Sequence, residues 1–211
     1  MNKQELEAVV REVMDKLNPP GDIPLGVSAR HCHLSEELVS ALFGKGYVLT
    51  PKRSLSQPGQ FAAEETVGIA GPKGAIHHVR ILGPARSMTQ VEVSLTDARQ
   101  LGIDVPVRLS GDLEGAPGVT IIGPHGSRYI PESLIVAKAH IHMTPDDAKR
   151  LSVTNGQSVG VTGDGQGRRA TFHDVTVRVS ERYRLEMHVD TDEANAAGLQ
   201  NGSVLRLGKP G

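Results

Sequence analysis

One supersecondary pattern recurs four times in degenerate form and limits the fold more than any other feature of the chain. An apolar strand ends in a Ser, Thr or Asp cap signal, a short helix follows, and a turn returns the chain to another apolar strand. The copies run from His33-Leu34-Ser35-Glu36-Glu37-Leu38 to Tyr47-Val48-Leu49 and from Val93-Ser94-Leu95-Thr96-Asp97-Ala98 to Val105-Pro106-Val107-Arg108-Leu109. The other two run from His142-Met143-Thr144-Pro145-Asp146-Asp147-Ala148 to Ser158-Val159-Gly160-Val161 and from Val189-Asp190-Thr191-Asp192-Glu193-Ala194 to Ser203-Val204-Leu205-Arg206-Leu207. Thr144 can cap a helix while Pro145 takes N1, where its missing donor costs little, and Asp147 at N3 can complete the cap. Asn155-Gly156 and Asn201-Gly202 supply turns that tolerate positive φ. Helices this brief do not suit a Rossmann or TIM architecture. With 24 glycines, 13 prolines and many Val/Ile runs, the pattern predicts a mainly β fold of two small β-barrel domains with short capping helices.

The first 18 residues differ from the rest. Leu6, Val9, Val10, Val13, Met14 and Leu17 recur at helical spacing among charged residues, and Asn18-Pro19-Pro20-Gly21 then breaks the helix. Such a helix either packs on its own domain or docks its apolar stripe on another protein. Residues 1–20 are therefore read as an N-terminal helix and linker. A domain break is expected near Gly111–Gly118 or just after Leu134-Ile135-Val136-Ala137. The second choice gives barrel regions at 21–137 and 138–211, with exchange of strands between them left open.

The 211 residues are enough for a real core. A formal charge of -1 gives no net attraction for nucleic acid, and 3% aromatic residues without Trp provide no extended base-stacking platform. Cys32 is the only cysteine, which excludes an intrachain disulfide and a Cys-rich zinc knuckle. No run reaches the 18 apolar residues of a membrane-spanning helix, so neither secretion nor membrane insertion is expected.

The histidines follow the repeat. His31 and His33 precede the first cap signal, His140 and His142 the third, and His188 the fourth. Residues i and i+2 of a strand face the same way, about 6–7 Å apart, so each His-x-His can offer two imidazoles to one cation. The second copy carries Glu92 and Ser94 at that edge, and Glu92 would add a hard oxygen donor. Such N/O sets suit zinc, with nickel, cobalt or iron as alternatives. Cys32, between two histidines, should point to the opposite face as a buried structural thiol. His77-His78 is a poorer pair because adjacent strand residues diverge, and His125 and His173 remain ambiguous.

Gly83-Pro84-Ala85-Arg86 and Gly123-Pro124-His125-Gly126-Ser127 form a second matched pair, each following apolar β residues. The Arg86 guanidinium could hold a phosphate through two parallel hydrogen bonds. Ser127 is a weaker candidate for an orienting donor. No Walker A sequence and no Gly-x-Gly-x-x-Gly opening a helix is present.

Ile23-Pro24-Leu25-Gly26-Val27-Ser28-Ala29-Arg30-His31-Cys32-His33-Leu34-Ser35 resembles the N-terminal signature of the PduL-type phosphate propanoyltransferases. The stretches around Gly83–Ser94, Val119–Ser127, His140–Ala148 and Leu185–Gly198 extend that resemblance over nearly the whole chain. It implies reversible conversion of acyl-CoA and inorganic phosphate into acyl phosphate and CoA, with two zinc ions between two β-barrel domains. It also implies that His31, His33 and Glu92 hold one metal, that His140, His142 and His188 hold the other, and that Arg86 binds phosphate. No residue is assigned to CoA. The N-terminal helix resembles the short peptides that recruit such enzymes into bacterial microcompartments. This places the chain in a microcompartment lumen, beside shell or cargo proteins, or in the cytoplasm if residues 1–18 do not dock. A homo-oligomer is expected. Two positions depart from the family pattern: Ala29 replaces the usual Asn before Arg-His-x-His, and Ala139 replaces the Arg common before the second pair.

The preferred reading is direct attack of phosphate on an acyl-CoA, propanoyl-CoA in the first place. No convincing Ser-His-Asp or Cys-His set calls for an acyl-enzyme. The alternatives are a zinc hydrolase and a noncatalytic, metal-stabilised microcompartment adaptor.

Overall fold

A computed structural model describes residues 21–208; the proposed docking helix at 1–18 lies outside them. The strands are β1 (Asp22–Ser28), β2 (His31–His33), β3 (Pro51–Ser54), β4 (Phe61–Ala70), β5 (Ala75–Gly83), β6 (Gln90–Glu92), β7 (Val107–Arg108) and β8 (Val119–Gly123). They continue with β9 (Gly126–Ile130), β10 (Leu134–Ala137), β11 (His140–Met143), β12 (Ser158–Gly165), β13 (Arg168–Val179), β14 (Glu186–Asp190) and β15 (Val204–Leu207). Short helices cover Glu36–Phe43, Leu95–Leu101, Pro145–Leu151 and Thr191–Ala197.

The chain is mainly β, as its turns and strand-like runs predict. Six strands close a barrel in the order β1-β14-β11-β13-β12-β15, and a nine-stranded sheet runs β7-β10-β6-β2-β5-β4-β8-β9 with β3 paired to β4. Two compact units result. Among the described residues, one comprises 21–26, 140–187 and 197–208, and the other 27–139 and 188–196.

Alternation explains the interior of each unit. In β11, Ile141 and Met143 are fully buried, so His140 and His142 take the opposite face. Ile23, Leu25, Val161, Val175, Val177, Met187 and Leu205 are also buried in this unit. In β2, Cys32 and the following Leu34 join the core of the other unit, where they pack with residues such as Leu42, Ile69, Ile81, Val91 and Ile121. His31 and His33 are thereby turned to the other side of the sheet.

The helix starts bear out the repeat. Ser35 Oγ accepts from the Leu38 N–H, and Ser94–Asp97 and Thr144–Asp147 form reciprocal capping boxes with Pro145 at the helix start. Asp190 and Glu193 exchange the same pair of bonds, at 2.8 and 2.9 Å. Each box satisfies two backbone donors that a helix end would otherwise leave without partners. Gly156 and Gly202 take φ of 80° and 82°, as the Asn-Gly turns require.

Candidate active site

The antiparallel pairing of β2 with β6 builds the first candidate site. Its register sets His31 opposite Glu92, Cys32 opposite Val91 and His33 opposite Gln90. Directly opposed residues share a face, so strand alternation and register together put both imidazoles beside one carboxylate. His31 Nε2 lies 3.5 Å from Glu92 Oε2. All three residues are buried, and each contributes one ligand atom to a group lying within 4.8 Å of one another.

The donor chemistry fits a divalent metal. The Ala29 carbonyl lies 2.9 Å from His31 Nδ1 and accepts its proton. That bond fixes the tautomer and turns the lone pair of Nε2 toward Glu92, as in carboxylate-rich metal centres. His33 Nδ1 is buried without a hydrogen-bond partner among the described residues, an expensive arrangement unless something electrophilic meets it. Tetrahedral zinc at bond lengths of about 2.0–2.1 Å separates its ligand atoms by roughly 3.3–3.5 Å. The His31–Glu92 separation falls in that range.

The His33 ring is also kept neutral, the form a metal ligand needs. Burial is the largest cause, followed by the proximity of His31 and Arg86 and opposed by Glu92 and a hydrogen bond with the Leu82 backbone, and together they push its pKa down to about 3. An unfolded histidine titrates near 6.5. Acid therefore favours the unfolded chain: the His33 contribution is complete above about pH 6.5 and is lost as pH falls toward 3. In metal-free protein, the stability difference between wild type and His33→Asn should shrink over that interval. Chemical unfolding at a series of pH values measures it.

Arg86 joins this group. Its N–H donates to the Leu34 carbonyl at 2.9 Å, and the Ser35 N–H donates to Thr89 Oγ1 at 3.0 Å. These bonds lace the Gly83–Thr89 segment onto the end of β2. Phe61 packs over Gly83 so closely that a Cβ there would overlap its ring, which leaves glycine as the residue that fits. The structure thus brings His31, His33, Glu92 and Arg86 together.

Cys32 behaves as expected, with its thiol buried and its pKa raised far above the usual range by desolvation. Ser127 stands elsewhere. It is exposed on β9, the last strand of the sheet order, paired with Ile122 and four strand positions from β2. His140 and His142 share one face of β11, with ring centroids 4.7 Å apart. His188 lies on β14, in the unit that holds residues 188–196.

Sequence reasoning missed several neighbours. Gln90 and Ser110 both hydrogen-bond Glu92. Tyr183, between β13 and β14, stacks on His142 with centroids 4.1 Å apart and planes at 25°. Arg30 grips the buried carboxylate of Asp97 at 2.7–3.0 Å, beside His31. None of these has a periodic signal. The one available clue was that Gln90 and Glu92 alternate onto one face.

The family model for phosphate propanoyltransferase matches residues 24–200. A phosphate propanoyltransferase of Priestia megaterium is 56% identical over 97% of this chain and 95% of its own length. One from Thermotoga maritima is 55% identical over 94% of each chain, and one from Salmonella typhimurium is 50% identical over 95% of each. The chain belongs to the phosphate propanoyltransferase family. Within that family, its enzyme chemistry needs a place for an anionic phosphate. In this unit, Arg86 stands beside the buried His31–His33–Glu92 group.

Proposed function

We infer that the chain is a zinc-dependent phosphate acyltransferase that interconverts propanoyl-CoA plus phosphate with propanoyl phosphate plus CoA. The observation that carries this reading is the buried His31–His33–Glu92 group with Arg86 laced against it, in a chain whose relatives are phosphate propanoyltransferases. His31, His33 and Glu92 would hold one zinc, and His140, His142 and His188 a second. Zinc bound there supplies Lewis acidity to a phosphate oxygen, a thioester carbonyl or a departing thiolate.

Arg86 binds and orients phosphate through its planar fork. A phosphate oxygen forms a bond to the acyl carbon. The C–S bond then breaks, its electron pair leaves on the CoA sulfur, and acyl phosphate is released. Cys32 takes no part, because its thiol is buried on the opposite face and held protonated. Direct transfer is therefore favoured over a covalent acyl-enzyme. Ser127 is retained only as a weak orienting candidate in view of its exposed edge position.

The deciding experiment follows free CoA and acyl phosphate with propanoyl-CoA as substrate, with and without phosphate. Phosphate-dependent appearance of both products supports the reading. CoA release without acyl phosphate indicates a hydrolase, and neither product indicates an adaptor. Acetyl- and butanoyl-CoA belong in the same assay, since one methylene changes a pocket's preference by only about 1–3 kcal/mol.

Residues 1–18 are proposed to recruit the enzyme to a bacterial microcompartment through Leu6, Val9, Val10, Val13, Met14 and Leu17. Deleting them should leave an active enzyme that is no longer encapsulated, and a fluorescent cargo bearing them should enter a matching shell. Diffuse cargo together with an unstable deletion variant would overturn this assignment.

A further inference from the structure

We propose that Gln90 and Ser110 form a positioning clamp that aims the Glu92 carboxylate into its metal group, and that zinc affinity depends on this clamp. The inference rests on the proposed zinc site and deepens it by adding two residues that are not themselves ligands.

The hydrogen-bond directions leave little freedom. The Gly111 backbone N–H can only donate, and it lies 2.8 Å from Gln90 Oε1. That bond fixes which way the Gln90 amide faces, so its NH2 must point the other way. Nε2 then uses its two hydrogens on Glu92 Oε1 at 2.5 Å and on Ser110 Oγ at 2.8 Å. Having accepted from Gln90, Ser110 Oγ donates its own proton to the same Glu92 Oε1 at 3.0 Å. Every donor and acceptor in the ring is matched, and two donors converge on one carboxylate oxygen. The other oxygen, Oε2, is thereby directed toward His31 Nε2 at 3.5 Å.

Position in the fold supports a positioning role. Gln90 and Glu92 are both buried, at 4% and 8% exposure, so a carboxylate without these donors would find little water to replace them. Ser110 and Gly111 lie in the turn that follows β7, and Gly111 takes φ of 101°, a conformation that favours glycine. The turn reaches Glu92 because β10 pairs in parallel with both β6 and β7. A segment nearly 20 residues downstream thus holds the ligand in place. Partners outside the coordination sphere commonly change metal affinity about 10–100-fold.

The clamp predicts graded outcomes for three substitutions. Gln90→Glu preserves shape but puts an acceptor where a donor faces Glu92 Oε1. Its zinc affinity should fall about 10–100-fold. Ser110→Ala removes one donor and should lose less, about 3–10-fold, while Ser110→Thr keeps the hydroxyl and should restore the affinity. Zinc affinity is measured by chelator competition on the full chain, with circular dichroism and a thermal melt as checks of folding. His31→Ala run in parallel marks the part of the signal that belongs to this group.

If Gln90→Glu does not fold, the Ser110 pair decides. Affinity unchanged in folded Ser110→Ala, or equally lost in Ser110→Thr, overturns the clamp while leaving the metal site standing. Absence of any zinc signal sensitive to His31→Ala in the wild type overturns both the clamp and the metal reading beneath it.

Discussion

His31→Ala is expected to lose zinc and phosphate-dependent acyl transfer together. The imidazole it removes has its tautomer set by Ala29 and its Nε2 placed 3.5 Å from Glu92. Loss of a ligand should exceed the roughly 10–100-fold cost of disturbing a partner outside the coordination sphere. His140→Ala should behave likewise at the second proposed group. Elemental analysis of protein purified without added metal provides the baseline, with two zinc ions per chain expected and about one expected for either variant. Full activity in metal-depleted His31→Ala would sink the zinc assignment, whereas a wild-type value near one would remove only the second site.

Arg86→Ala should give the contrasting result, with metal retained and phosphate use severely weakened. A bidentate charged contact contributes about 1.5–3 kcal/mol, which corresponds to roughly 10–150-fold in phosphate KM or kcat/KM. Arg86→Lys restores the charge but not the planar fork and should recover only part of the loss. The backbone N–H of Arg86 that bonds Leu34 is present in both variants, so the lacing of this segment to β2 should survive. Steady-state kinetics with phosphate varied at saturating acyl-CoA reads the effect. Unchanged phosphate dependence in both variants would rule out Arg86 as the phosphate ligand.

These two experiments rest on features of unequal legibility. His-x-His alternation put His31 and His33 on one face and Cys32 on the other, and burial of Cys32 and Leu34 bears that out. The Thr144-Pro145-x-Asp147 cap could be read residue by residue, because capping depends on atoms only three residues apart. Glu92 was harder. Its meeting with His31 depends on the register of two strands about 60 residues apart, and only the repeat and the family resemblance pointed to it. Gln90 showed only its alternation with Glu92, and Ser110 left no trace, since the turn after β7 reaches Glu92 by way of β10. Tyr183 was equally hidden, because stacking on His142 is a tertiary contact made from an irregular segment. The two units are assembled from discontinuous stretches, an arrangement that local periodicity does not encode.

The barrel's closing seam has a consequence for synthesis. β1 pairs with β15, Asp22 opposite Arg206, and their side chains meet at 3.0 Å across 184 residues of sequence. A ribosome adding about 5–20 residues per second leaves the first strand waiting roughly 10–40 s for its partner. Ile23 and Leu25, both destined for burial, remain without that seam throughout the interval. Barrel closure is therefore a late event in the life of the nascent chain, reached only after β15 emerges. A chain stalled before Val204 would present an unpaired apolar edge of the kind that chaperones hold and proteases clear.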